Sequence, residues 1–146
     1  MKIAALSLLS LFLFSSASHS PFDKEPFLTV QKTGCKGKCP VYIIKFFESG
    51  IIDLYGEKNI SQQGHYQKTI SLNEVEKIRK YVFKTGFFDL DNMLGSPSAD
   101  HSPVYLSFKH AGQYKTITDY SSGNKEITKI LEFIEQYLRQ PGWKKM

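Results

Sequence analysis

The feature that most constrains the fold of this chain is a series of short segments in which apolar and polar residues alternate. A period of two, or a run of β-branched and aromatic residues, is typical of β-strands. The segments of this kind are Leu28–Lys32, Val41–Phe47, Ile51–Tyr55, His65–Ile70, Val104–Phe108 and Tyr114–Tyr120. Turn residues join several of them, with Gly50 at a position that favours a positive φ. The pattern predicts β-hairpins, with His65–Ile70 as a weaker, edge-like strand.

Two other segments have the period of an amphipathic helix. Ser71 is placed to cap the first helix, and Glu74 follows three residues later, as in a capping box. Gly86 is expected to end this helix. Its expected apolar stripe consists of Leu72, Val75, Ile78 and Val82. The stripe of the second helix, which ends before Pro141, is Ile127, Ile130, Leu131, Ile134 and Leu138.

The order of these elements is β-β-β-(β)-α-β-β-α. Because hairpins rather than alternating βα units join the strands, we expect an antiparallel sheet with both helices packed on one face. The chain is therefore predicted to be a single α+β domain over residues 28–143, with a sheet of about five or six strands. Residues 18–27 are expected to form a flexible leader, residues 91–103 the longest loop, and residues 144–146 a basic tail.

The N-terminus has the order of a secretory signal peptide. Met1-Lys2 supplies a positive start, Ile3–Phe14 is an apolar run, and Ser15–Ser18 are small residues. We expect a signal peptide over residues 1–17, with cleavage after Ala17. The apolar run is too short for a membrane-spanning helix, which needs about 20 residues. The mature chain is thus predicted to be exported, periplasmic or secreted, without a transmembrane segment.

Composition narrows the class of protein further. The chain has 146 residues, of which 41% are hydrophobic and 14% aromatic, and this is ample for one packed core. The length nearly excludes separate cofactor and substrate domains. The net charge of +5 is spread along the chain and gives no indication of nucleic-acid binding.

The most informative segment holds the only two cysteines, Cys35 and Cys39. In an oxidising compartment, two cysteines this close in sequence usually pair. A fully extended run between them would span roughly 13 Å, whereas a disulfide requires Cα atoms about 4.4–6.8 Å apart, so the loop must fold back. Gly37 at its centre is expected to supply the permissive backbone. The favoured interpretation is a structural disulfide.

Redox chemistry and ligand binding are alternative interpretations of this loop. A dithiol oxidoreductase normally has Cys-x-x-Cys at the start of a helix, whereas here the spacing is one residue longer and Pro40 leads into a strand. Neighbouring lysines would still stabilise a thiolate. Lys36, Gly37 and Lys38 also form a candidate binding loop for an anion or an acidic partner.

Metal binding and hydrolysis are less favoured. The spacing of His65, His101 and His110 is not that of metal ligands. The one metal interpretation left open is that the two cysteines bind a soft metal such as copper(I). Asp100 and His101 stand near three serines, but neighbours in one polar loop do not indicate a catalytic triad. The sequence has neither a nucleophile elbow nor a phosphate-binding loop. We therefore assign no catalytic residue, no metal site and no cofactor.

The segment Cys35–Tyr42 resembles the opening motif, Cys-x-Gly-x-Cys-Pro-x-Tyr, of the bacterial domain-of-unknown-function family 6438. Further matching positions, in the same order, are Phe47–Ile52, Tyr55-Gly56, Gly64, Phe87-Phe88, Asp100, Pro103, Asp119-Tyr120 and Trp143. Residues 121–124 depart from the family, in which a small residue and a proline are expected before the last helix. The resemblance implies an exported bacterial α+β domain and leaves its activity open.

These observations favour a non-enzymatic exported domain that acts as a binding or envelope-interaction module. Its expected partner is an acidic protein or an envelope component. The alternative is a thiol-disulfide or soft-metal-handling protein that uses Cys35 and Cys39.

Overall fold

A computed structural model of the chain describes residues 25–98 and 102–146. The expected signal peptide and the part of the expected leader before Glu25 lie outside the described residues, as do Asp100 and His101. The described ranges form a mixed α+β structure with one sheet and two α-helices. The α+β class expected from the sequence is confirmed.

The sheet has eight strands within the described residues. In chain order they are β1 (Leu28–Lys32), β2 (Val41–Phe46), β3 (Ile51–Lys58), β4 (Gly64–Thr69), β5 (Met93–Leu94), β6 (Val104–His110), β7 (Gln113–Asp119) and β8 (Lys144–Lys145). Their order in space is β5-β7-β6-β1-β2-β3-β4-β8. Neighbouring strands are antiparallel except β5 and β7, which are parallel.

The expected count of five or six strands is wrong because two short strands form where the tertiary fold brings a partner to them. β5 lies inside the segment expected to be the longest loop and pairs with residues 118–119 of β7. β8 lies in the segment expected to be a basic tail and pairs with Tyr66 and Gln67 of β4. Two residues are too few to show a period, so neither strand has a signal in the sequence.

Residues with positive φ set the geometry of the two main hairpins. Gly50 adopts φ +87°, as its place in the β2–β3 turn predicts, and a Cβ there would lie 2.3 Å from the carbonyl oxygen of Ile70. The β6–β7 turn consists of Ala111 and Gly112, with φ of 48° and 77°. Two successive residues with positive φ form the type I′ turn, whose twist matches that of the flanking strands.

The two helices are α1 (Leu72–Lys84) and α2 (Lys125–Arg139). Ser71 and Glu74 form both hydrogen bonds of the predicted capping box at the start of α1. Asn124 caps α2, its side chain accepting a hydrogen bond from the backbone N–H of Ile127. Each helix start therefore has a side-chain acceptor for one N–H group of its first turn.

One residue of the expected apolar stripe of α1 is not in the core. Val75, Ile78 and Val82 are buried as predicted, whereas Leu72 is 66% exposed. A helical side chain covers the turn that precedes its own Cα, and Leu72, as the first residue of α1, has no preceding helical turn to cover.

The helices and one face of the sheet enclose a single hydrophobic core. Buried side chains that the strand register places on this inner face are Leu28, Val30, Tyr42, Ile44, Phe46, Ile52, Leu54, Leu106, Phe108 and Ile117. Both helices contribute buried residues to the same cluster, and Tyr137 of α2 meets Phe46 edge to face, with ring centroids 5.9 Å apart. Phe27, expected to end the flexible leader, is also buried in this cluster.

The opposite face of the sheet, here called the outer face, is polar and partly open to solvent. Its half-buried or exposed side chains include Gln31, Lys45, Asp53, Tyr55, Ser107 and Thr116. Residues two apart on a strand share a face, so these groups form continuous rows across neighbouring strands.

Candidate functional site

The cysteine loop connects β1 to β2 beside the outer face of the sheet. Cys35 and Cys39 form a disulfide, with Cα atoms 5.7 Å apart. The backbone N–H of Gly37 donates to Cys35 Sγ at 3.3 Å. Both cysteines are half-buried, while Lys36, Gly37 and Lys38 are exposed. The bond therefore closes a short surface loop that presents its central three residues to solvent.

Gly37 does not have the conformational role that the sequence suggested. Its φ lies outside the left-handed region, and a Cβ added there would meet Cys35 Sγ at 3.8 Å, an ordinary contact distance. The chain folds back between the cysteines without a left-handed residue, so the loop does not require glycine at this position.

Two hydrogen bonds anchor the ends of the loop to the rest of the domain. The hydroxyl of Thr33 donates to the carbonyl oxygen of Pro103 at 2.7 Å. The side-chain amide of Asn59, which follows β3, donates to the carbonyl oxygen of Cys39 at 3.0 Å. The disulfide constrains the interior of the loop, and these bonds fix where the loop lies.

A partly buried polar cluster ties the strands that flank the loop to α2. Lys32 Nζ lies 2.7 Å from Glu135 Oε1, and the Tyr42 hydroxyl donates to the same oxygen at 3.3 Å. Burial, together with the negative charge of Glu135 and the hydrogen bond to it, raises the pKa of Tyr42 well above its ordinary value. The neutral phenol therefore stays a donor to the carboxylate, and the cluster holds β1 and β2 against the helix.

The loop and the outer face border an open concavity of about 700 Å³, here called the loop concavity. Its walls include Cys35 and Cys39, and the ends of β2, β3 and β4 contribute Ile43, Tyr55 and His65. Neither Lys36 nor Lys38 is among its lining residues. The loop thus contributes its disulfide side to the concavity, whereas its lysines are outside the lining.

A row of aromatic and charged side chains continues from the loop concavity across the outer face. The rings of Tyr55 and His65 stack with centroids 4.3 Å apart and planes 9° apart. His65 Nε2 lies 3.4 Å from Asp53 Oδ1, and Lys45 Nζ lies 5.6 Å from the centroid of the Tyr55 ring. Tyr55 is 42% exposed. The arrangement offers an aromatic surface with hydrogen-bonding groups at its border, suited to contact both the apolar and the polar parts of a ligand.

Sequence reasoning did not identify this row as a unit. Alternation along β3 places Asp53 and Tyr55 on the same face, but the register with β4 decides that His65 lies opposite Tyr55. Residues 59–63 connect the two strands, and alternation along each strand does not fix the register between them.

Close packing explains why glycine follows Tyr55 at position 56. A Cβ on Gly56 would lie 1.8 Å from the carbonyl oxygen of Gln62, because the segment between β3 and β4 passes directly over this residue. Gln62 Nε2 in turn donates to the carbonyl oxygen of Leu138 in α2 at 3.0 Å. Only glycine allows this close passage, so Gly56 shapes one end of the loop concavity.

The other histidines considered in the sequence do not join the loop concavity. His110 lies on β6, four strand positions from His65 on β4, and packs against Phe83 and Phe108. His101 and Asp100 lie outside the described residues. Over residues 25–98 and 102–146, no group of three or more His, Cys, Asp or Glu side chains is placed to hold a metal ion. No helix in the same ranges is long and apolar enough to cross a membrane.

Comparison with known proteins identifies the family of the chain. No curated protein and no solved structure matches it significantly. A family model described as a domain of unknown function (DUF6438) matches residues 26–138, which include every strand and helix of the domain except β8 and the last residue of α2. The resemblance inferred from the Cys35–Tyr42 motif is thereby confirmed at the level of the family. The chain belongs to the DUF6438 family.

Proposed function

We propose that the protein is an exported, non-enzymatic binding module that takes an envelope component or an acidic protein partner into the loop concavity. The observation that carries this proposal is the loop concavity itself, whose volume of about 700 Å³ falls within the range typical of ligand sites. The signal-peptide pattern at residues 1–17 and the Cys35–Cys39 disulfide both favour an oxidising compartment outside the cytoplasm.

The loop concavity is held in shape before any ligand arrives. The disulfide, the Thr33 bond to Pro103 and the Asn59 bond to Cys39 each constrain the wall that the loop forms. A pre-organised wall reduces the conformational entropy that binding would otherwise cost. This rigidity supports a recognition role for the loop.

Lys36 and Lys38 are proposed to act at the rim of the site. Both are exposed on the loop beside the concavity, where positive charge attracts an acidic partner and raises its association rate. We expect the double variant Lys36→Glu/Lys38→Glu to change stability by no more than about 0.5 kcal/mol, since exposed substitutions are usually that mild. Capture of an acidic partner should weaken and lose its salt dependence. Unchanged capture and salt dependence would remove the lysines from the binding surface.

The test is affinity capture from detergent-solubilised native envelope with the wild-type chain and two matched variants. Tyr55→Ala removes the exposed ring of the loop concavity, and Tyr114→Ala removes an exposed tyrosine from the other end of the outer face. We expect the wild type and Tyr114→Ala to capture the same component and Tyr55→Ala to lose it. Equal capture by all three proteins would overturn the assignment of the site to the loop concavity.

A thiol-disulfide function is the second candidate, favoured by the half-buried position of both cysteines in the wall of an open concavity. The reduction potential of the Cys35–Cys39 bond separates the two candidates. A structural bond should have a potential below about −300 mV, whereas a redox-active one should lie near the oxidoreductases, at roughly −270 to −120 mV. A value in the second range would favour the redox function over the binding module.

A further inference from the structure

β7 has an open edge at the opposite end of the sheet from the loop concavity. Its hairpin with β6 has a two-residue type I′ turn, so His110 and Gln113 form the hydrogen-bonded pair next to the turn. Hydrogen-bonded and non-hydrogen-bonded pairs alternate along an antiparallel ladder. The backbone groups of residues 113, 115, 117 and 119 therefore point to β6, and those of residues 114, 116, 118 and 120 point away from it.

Only half of this outward edge is paired in the part of the chain that the structure describes. The N–H of Thr118 donates to the carbonyl oxygen of Asn92, and the N–H of Tyr120 donates to that of Leu94, both at 2.8 Å. β5 pairs no further along β7, which leaves the N–H and C=O groups of Tyr114 and Thr116 without a strand partner among the described residues. An extended strand edge of this kind is a template for pairing with another chain.

A shallow depression of about 600 Å³, largely open to solvent, lies beside this open edge. It is lined by Phe88, Asn92 and residues 113–116, so the described residues leave this edge accessible to an added strand. Tyr114 stands on the outer side of the edge and is 67% exposed. The neighbouring Ser107 and Thr116 hydroxyls are 2.8 Å apart and add polar groups on the same side.

Lys115 supplies charge on the helix-side face of the edge. Its ammonium group donates to the carbonyl oxygens of Phe88, at 3.0 Å, and of Leu90. An edge lysine usually discourages strand pairing by projecting its charge outward, but here the side chain is held against these carbonyls. An ammonium group has three donors, so one remains for an acceptor on an added strand.

We propose that the open edge of β7 binds an extended segment of a partner protein by strand addition, with an acidic side chain opposite Lys115. The backbone groups of Tyr114 and Thr116 supply the pairing, and the charge of Lys115 selects the acidic residue. A second copy of the chain fits less well. Two-fold pairing centred on residue 115 would place Lys115 directly opposite its own copy, and like charges so placed are destabilising.

The test uses the full mature chain and two synthetic probes, acetyl-Thr-Val-Glu-Val-Thr-amide and the same peptide with Lys in place of Glu. Binding is followed by the amide resonances and the hydrogen exchange of Tyr114 and Thr116. We expect saturable shifts and slowed exchange at both amides with the Glu peptide. The Lys peptide should bind about tenfold more weakly, because an opposite-charge pair becomes a like-charge pair.

Thr116→Pro removes one outward N–H and leaves the ladder with β6 intact, since the N–H of residue 116 does not point to β6. Thr116→Val is the matched control, because it changes the side chain and keeps the N–H. Binding of the Glu peptide should be lost in the first variant and kept in the second. Unshifted amides in the wild type at millimolar peptide, or equal binding of the two peptides, would overturn the proposal without recourse to either variant. Dimerisation of the wild type that Thr116→Pro abolishes would instead assign the edge to a second copy.

Discussion

Removal of the disulfide tests how the loop contributes to stability and to the proposed site. The bond joins residues four apart, so Cys35→Ser/Cys39→Ser releases a ring of only about five residues. In the chain-entropy model, closing a ring of that size lowers the entropy of the unfolded state by about 7 cal/mol/K, which corresponds to about 2 kcal/mol at 25 °C. The core lies on the inner face of the sheet, and the Thr33 and Asn59 anchors are outside the ring. The rest of the domain should therefore remain folded.

The free energy of unfolding is measured by urea denaturation of the double variant and of the wild type with and without reductant. We expect a loss of about 2 kcal/mol, an unchanged denaturant slope and a native far-ultraviolet circular dichroism spectrum. For a domain of this size the thermal midpoint should fall by about 8 °C. Reduced wild type should match the double variant.

Two outcomes would refute this reasoning. Complete unfolding of the double variant would show that the loop organises much more of the domain than its own ring. An unchanged free energy of unfolding would show that the bond does not constrain the unfolded chain as the model requires. If the loop concavity is the binding site, the folded double variant should also lose envelope capture, because both cysteines line that concavity.

Two further predictions concern single positions. Gly56→Ala should lower the free energy of unfolding by about 2–3 kcal/mol, because the added Cβ would collide with the Gln62 carbonyl oxygen. Gly37→Ala is the control and should change the free energy of unfolding by less than about 0.5 kcal/mol. Equal effects of the two substitutions in urea denaturation would contradict the packing argument. Because the pKa of Tyr42 is raised in the folded state, the folded protein keeps the phenolic proton above pH 10, where the unfolded chain loses it. The stability that the protonated Tyr42 contributes is therefore complete below about pH 10 and declines as the pH rises further. Tyr42→Phe should reduce the decline in unfolding free energy between pH 9 and 11, and parallel declines in variant and wild type would disprove the role of Tyr42.

Local interactions explain which features of the fold were predictable. β1 has the predicted bounds, because apolar and polar residues alternate along it. β2 differs by one residue from the segment that its β-branched and aromatic residues predicted. The start of α1 was predictable because Ser71 and Glu74 are three residues apart and bond to each other's backbone. The same holds for Gly50, whose positive φ is required by a turn within a few residues of sequence.

The remaining features depend on where the folded chain places neighbouring groups, which the sequence patterns do not show. Leu72 fits the apolar stripe of α1, yet it is exposed because nothing precedes it in the helix to pack beneath it. β5 and β8 exist because β7 and β4 pass beside them, and two residues alone carry no strand signal. The need for glycine at position 56 arises from Gln62, and no periodicity shows that the chain returns over this residue.

The sequence by itself determined the α+β class, the main strands and helices, the family and the pair of cysteines that closes the loop. These depend on hydrophobic period, caps, turns and a short motif, all of which act within about ten residues. Only the tertiary structure decided the strand order, the loop concavity and the row formed by Asp53, Tyr55 and His65. Strand register and sheet order arise from packing between separate strands, and the open edge of β7 became visible only once its neighbours were placed.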